Sequence, residues 1–182
     1  MNTQRLLLRI ALTVALATVA GCGGSDKAGG KGPSPFGTAT VKLTKNGQLA
    51  TEYRTEAATA VRDIFEFEKA EGTYRVTASG DDKQVLTLDI AGQSTGKYPF
   101  FPHSENLSAG KAEIALYLDA VMAMAAGVAG RVTPESGEVQ LTTATKTRCV
   151  GTFRGETQNI FDGNLYVVEG TFDVPVLQGI PD

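Results

Sequence analysis

Between Thr38 and Val176 apolar residues recur at every second position, in one short run after another, a period that belongs to strands with one buried face. Thr40-Val41-Lys42-Leu43-Thr44 is followed by Asn46-Gly47, a pair suited to the positive φ values of a tight hairpin, and then by Gln48 to Tyr53. Tyr74, Val76 and Ala78 alternate with Thr73, Arg75 and Thr77. After the turn residues Ser79-Gly80-Asp81-Asp82, Leu86, Leu88 and Ile90 alternate with Val85, Thr87 and Asp89. Val139 and Leu141, then Cys149, Gly151 and Phe153, continue the pattern. In the last run Tyr166, Val168, Phe172, Val174 and Val176 share one face while Glu169, Thr171 and Asp173 share the other. Asp162-Gly163 is expected at the turn joining the last two strands. The predicted fold is mainly β: an antiparallel β-sandwich, or a partly open barrel, of about eight to ten strands.

Two segments fit more than one element. Thr55 to Glu68 places Ala57, Ala60, Val61, Ile64 and Phe65 at helical spacing, yet Val61, Phe65 and Phe67 also fit one strand face. Residues 112–119 alternate and read as strand. Residues 120–130 are rich in Ala and Met and stay open between the two, leaving room for one short helix. A weak echo runs through Gly72-Thr73-Tyr74, Gly151-Thr152-Phe153 and Gly170-Thr171-Phe172, with Gly96-Lys97-Tyr98 as a looser copy. Either each glycine lets an aromatic side chain from a neighbouring strand lie across its backbone, or glycine simply starts these strands.

The chain has 182 residues, 42% of them hydrophobic, with Lys+Arg 17 against Asp+Glu 20. That is material for one folded domain, and the charge balance argues against disorder and against a basic nucleic-acid binder. The first residues stand apart from the fold. Arg5 and Arg9 precede an uncharged, largely apolar run from Ile10 to Ala20, the form of a secretion signal. As a helix this run would rise only about 16 Å, well short of the roughly 30 Å hydrocarbon core of a bilayer.

The run ends in Val19-Ala20-Gly21-Cys22, which resembles the bacterial lipoprotein signal-peptide box. The resemblance implies that Cys22 receives a diacylglyceryl thioether, that the chain is cut before it, and that its new amino group takes a further acyl chain such as palmitate. Two or three acyl chains anchor far more firmly than one, since each buried methylene contributes about 0.8 kcal/mol. Gly23, where an Asp would signal inner-membrane retention in enterobacteria, points by the same resemblance to the outer membrane. Residues 1–21 are thus expected to be the signal peptide. Residues 22–37 form a lipidated Cys and a Gly/Pro/Ser-rich tether, GGSDKAGGKGPSPFG, with an r.m.s. reach of roughly 20 Å. Residues 38–182 form the single β domain. Loss of Arg5 and Arg9 leaves the mature body more acidic, so its hold on the bilayer depends on the acyl anchor.

Asn46-Gly47-Gln48, Tyr74-Arg75-Val76-Thr77-Ala78, Leu86-Thr87-Leu88-Asp89-Ile90, Ser94-Thr95-Gly96-Lys97-Tyr98, Ser136 to Thr142, Val150-Gly151-Thr152-Phe153 and Val168 to Val174 stand in the order seen in a group of small, all-β bacterial lipoproteins of unknown function. The resemblance covers most of residues 40–176. This chain departs from the pattern at Leu49, near a position often held by Trp, and in the Ala-rich stretch 120–130. What it implies is the fold and the anchor, and it transfers no catalytic residue.

Candidate chemistry is sparse. His103 is the one histidine, in Phe100-Phe101-Pro102-His103-Ser104-Glu105-Asn106, so any Ser/His/acid triad has to use it, and no Gly-x-Ser-x-Gly elbow is present. The segment places aromatic residues beside polar ones, and Tyr98, Phe100, Phe101, His103 and Glu105 are the expected binding loop. Asp81-Asp82 and Asp162-Gly163-Asn164 carry oxygens but lack the twelve-residue calcium loop, and read as turns. Glu66 and Glu68 are too commonplace to mark a general acid/base pair. Cys149, the sole thiol once Cys22 is lipidated, reads as a small buried hydrophobe. No catalytic residue, metal site or cofactor is expected.

The leading functional expectation is a non-enzymatic envelope lipoprotein that holds the bilayer through Cys22 and binds a protein partner or small ligand. The alternatives are a structural or assembly accessory of an outer-membrane complex and an envelope hydrolase built on His103.

Overall fold

The computed structural model of the chain describes residues 35–62, 73–80, 84–101, 107–119, 130–159 and 162–177. Ten strands occupy most of them: β1 (Gly37–Lys45), β2 (Gln48–Arg62), β3 (Thr73–Ser79), β4 (Val85–Ala91), β5 (Gly96–Pro99), β6 (Ala112–Tyr117), β7 (Arg131–Val132), β8 (Ser136–Ala144), β9 (Arg148–Gln158) and β10 (Leu165–Leu177). They hydrogen-bond in the order β5-β8-β9-β10-β1-β2-β3-β4-β6-β7. The sheet is antiparallel, apart from a short parallel contact of β10 with β2 and an isolated parallel bridge between Phe100 and Ala112. It does not close into a barrel. The mainly β, sandwich-like architecture agrees with the period-two reading.

The long strand β2 makes the fold turn a corner. Its first part pairs with β1 and its last four residues, Thr59–Arg62, pair with β3. Two register shifts interrupt its pairing with β1, between Leu43 and Thr44 and between Gly37 and Ala39. Each leaves extra residues on β2, which bends and twists a strand locally. β10 does the same on the other side of β1, leaving it after Asp173 to meet β2 at Val176 and Leu177. Both halves of the sheet thereby turn their apolar faces onto one core of Val41, Leu43, Tyr74, Val76, Leu86, Leu88, Ile90, Ile114, Leu116, Val139, Leu141, Phe153, Val168 and Phe172. These are the inward positions that the alternation picks out.

Asn46 (φ 50) and Gly47 (φ 79) form the two-residue turn between β1 and β2 with both residues left-handed, as the dipeptide predicts. β9 and β10 are joined across residues 159–164, where Gly163 also has positive φ. β5 begins at Gly96 of the glycine echo, whereas β7, of two residues, carries too few positions to show a period. Of the ambiguous segments, 55–62 is the second half of β2, whereas 63–68 and 120–129 lie outside the described residues. Among the described residues no helix occurs.

The glycine echo resolves at two of its positions. Gly170 lies directly opposite Phe153, and Gly151 directly opposite Phe172, across the β9–β10 pair. A Cβ on Gly151 would stand 2.8 Å from the Phe172 ring, and one on Gly170 would stand 2.7 Å from the Phe153 ring. The two aromatics therefore lie reciprocally across bare backbone, which fixes the register of the two strands. Gly96 has nothing over it, and Gly72 is outside the described residues.

Cys149 is fully buried at the start of β9, and burial pushes its thiol up to about 12. The folded protein keeps the proton that an unfolded thiol near 9 releases. Stability is therefore untouched below pH 9 and declines as the pH rises from about 9 towards 12. In a Cys22→Ala chain at pH 8, Cys149 is expected to resist a thiol reagent in buffer and to react at once in denaturant. Fast labelling of the native protein would contradict its burial.

Candidate functional site

The expected binding loop divides on inspection. Tyr98, Phe100 and Phe101 are not exposed aromatics but buried ones, at 5%, 6% and 6% exposure. Tyr98 points inward from β5, its hydroxyl donating to the Ser94 carbonyl at 2.7 Å, with its ring against Gly92. The Phe100 ring lies across Gly155 of β9, where a Cβ would stand 2.8 Å from it. These side chains seal the sheet edge, so they cannot present a stacking surface to a ligand. His103 and Glu105 lie outside the described residues, as does Cys22.

What the described surface offers instead is the outer face of β8, β9, β10, β1 and β2. Because alternate residues point outward, the register lines them up in rows across the strands. One row runs Glu138, Arg154, Glu169, Lys42, Glu52, with each residue directly opposite the next and the sign of charge alternating at every step. The next row runs Gln140, Thr152, Thr171, Thr40, Arg54. Between long charged side chains and short threonines lies an open depression of about 460 Å³, floored by the backbone near Val41, Phe153 and Gly170.

Three charges of the first row, Arg154, Glu169 and Lys42, are engaged with one another. Glu169 accepts from Lys42 at 3.1 Å through one oxygen and lies 3.5 Å from Arg154 through the other. Glu138 accepts from Lys97 of β5 at 2.7 Å. In the second row the Thr40 and Thr171 hydroxyls are 2.8 Å apart, and Thr40 also accepts from the Thr171 amide. At the far end Arg148 grips Asp173 with two bonds of 2.8 and 2.6 Å, which raises the Arg148 pKa. Opposite charges facing each other across strands support pairing, although exposed pairs of this kind contribute roughly 0–1 kcal/mol each. The face thus offers donors and acceptors in alternation with no strong net field. That suits a polar partner of low net charge, and it sets no nucleophile beside a base.

A more buried pair lies on the outer face of the other half of the sheet. Arg75 of β3 donates to both oxygens of Asp89 on β4 at 2.7 Å, and Asp89 is 9% exposed. Burial alone would lower the Arg75 pKa, and the facing carboxylate outweighs it and raises the value. This bidentate clamp ties two adjacent strands.

Asp162-Gly163-Asn164 forms a turn, as its composition suggests. The Asp162 carboxylate accepts from the Asn164 amide at 3.0 Å, the Tyr166 hydroxyl at 2.8 Å and Lys45 at 3.3 Å. Hydrogen bonds from Asn164 and Tyr166, with Lys45 alongside, hold it well below the usual carboxylate range. Among the described residues no group of three or more His, Cys, Asp or Glu gathers as a metal site would. Comparison with known proteins found no matching family model, no matching curated protein and no matching solved structure.

Proposed function

We propose that this chain is a bacterial envelope lipoprotein, anchored through acylated Cys22 and located at the outer membrane, whose β domain is a non-catalytic binding module. The anchor rests on the Val19-Ala20-Gly21-Cys22 run directly after an apolar leader of signal length, and on the resemblance of the chain to small all-β lipoproteins. The observation that carries the binding role is the row from Glu138 to Glu52. Five strands contribute one charged side chain each to a single open face, and the surface is organised for recognition by many weak polar contacts.

The test is affinity purification of the native acylated protein from mild-detergent envelope extract, beside a Glu169→Lys variant that places three cations in a row with Arg154 and Lys42. A binding module that uses this face retains a partner or ligand in the native form and loses it in the variant. Retention by both forms would move the interaction elsewhere. A partner held at fixed one-to-one stoichiometry through every wash would favour a structural accessory. A hydrolase built on His103 predicts a substrate turnover abolished by His103→Ala, and detection of such turnover would overturn the non-catalytic reading.

A further inference from the structure

The outer face of β1, β2 and β10 changes character at its turn end. Leu49 is 60% exposed and Leu165 is 45% exposed. Between them lies Val167, which faces Thr44 across one edge of β1 while Leu49 faces Thr44 across the other. Leu49 reaches this face only because β2 bulges. Leu43 pairs with Thr51 but the next residue, Thr44, pairs with Leu49, so Ala50 is left over. Unbroken alternation would place Leu49 on the inward face with Thr51 and Tyr53. The extra residue turns it into solvent.

Behind the leucines the polar groups are already occupied. The Asn46 side chain donates to Asn164 at 2.7 Å and accepts from the Leu165 amide at 2.9 Å, and the Asn46 amide donates to the Leu165 carbonyl at 2.8 Å. Gln158 donates to the Gly163 carbonyl, while Asp162 takes Asn164, Tyr166 and Lys45. The described residues of the two turns are thus stapled together, and the lysine of this end is paired with Asp162 and lies over the Tyr166 ring. Covering such an end with apolar material leaves few polar groups stranded.

We propose that this end, through Leu49 and Leu165, rests in the interfacial region of the phospholipid bilayer that holds the acyl anchor, an inference that depends on the anchor reading above. Two part-exposed leucines fall far short of the roughly 800 Å² per partner that a freely diffusing protein needs for a specific contact. They suffice for a surface already held close by a second link, because tethering makes the contact intramolecular. The tether spans the distance when drawn out: fifteen residues between Cys22 and Thr38 extend to about 50 Å, beyond their r.m.s. reach of roughly 20 Å, against about 30 Å for the nine residues of β1 that separate the tether from this end.

The chain contains no Trp, so Leu49→Trp in the full acylated protein makes a single emitter. In vesicles of phosphatidylethanolamine and phosphatidylglycerol its emission is expected to shift to the blue and to be quenched by lipids brominated in the acyl chain. Thr152→Trp, on the exposed row of the same face, is expected to keep a water-like, unquenched spectrum. Leu165→Trp provides an independent emitter. An acylated protein, verified by intact mass, whose Leu49→Trp and Leu165→Trp spectra match that of Thr152→Trp overturns the bilayer contact and leaves the anchor standing. A mass showing no acyl group on Cys22 overturns both. A blue shift that appears without lipid, when an envelope protein co-purifies, overturns the bilayer contact in favour of a protein partner.

Discussion

Replacing Gly170 with Ala is expected to cost the domain about 3 kcal/mol, the upper end of what overpacking a well-filled site does, or to stop it from folding. The new methyl would meet the carbonyl oxygen of Thr40 on β1 as well as the Phe153 ring at 2.7 Å. The ring could rotate away; the carbonyl belongs to a central strand paired on both sides and cannot move without disturbing β2 and β10. A double variant separates the two contacts. Phe153→Ala together with Gly170→Ala removes the ring clash but not the clash with Thr40, so stability is only partly restored relative to simple addition of the two losses. Urea midpoints followed by far-ultraviolet circular dichroism read the effect. A Gly170→Ala protein as stable as its parent would mean that β9, β10 and β1 are not packed in this register.

The second large effect is expected at Phe172→Ala, about 4 kcal/mol, from lost burial plus the cavity left behind. Phe172 is 2% exposed, among the largest fully enclosed side chains of the domain, and its ring covers Gly151 on the neighbouring strand. Removing it leaves bare backbone on one side and Ala39 on the other, neither able to fill the space. Thr171→Ala, one residue earlier on the exposed face, is the matched control. It deletes one hydroxyl contact to Thr40 and is expected to cost no more than about 1 kcal/mol. Equal losses at 171 and 172 would show that the two faces of β10 are not distinguished by burial.

The same contrast shows what can be read from the chain alone. Tyr74, Val76, Leu86, Leu88, Val139, Leu141, Val168 and Val174 declare themselves as core because a period of two needs no knowledge of partners. Tyr98, Phe100 and Phe101 do not, since Pro99 and Pro102 break any alternation and make the segment look like an exposed loop. The burial of Tyr98 and Phe100 depends on Gly92 and Gly155, and the latter arrives only from β9. The charged row is hidden for a related reason. Lys42, Glu52, Glu138, Arg154 and Glu169 each read as an ordinary solvated residue until strand order and register set them side by side. Leu49 is further still from view, because its exposure follows from a one-residue bulge that periodicity cannot signal. The proposed anchor at Cys22 is a different kind of reading, drawn from residues in order along the chain and owing nothing to strand register.

The anchor is the point on which the functional account turns, and intact mass spectrometry of the protein extracted from bacterial envelopes tests it most directly. The expected result is a chain that begins at Cys22 and carries the added mass of a diacylglyceryl group, with or without a third acyl chain, and a Cys22→Ala form found outside the membrane fraction. An unmodified mass, or a chain beginning at any other residue, would contradict it.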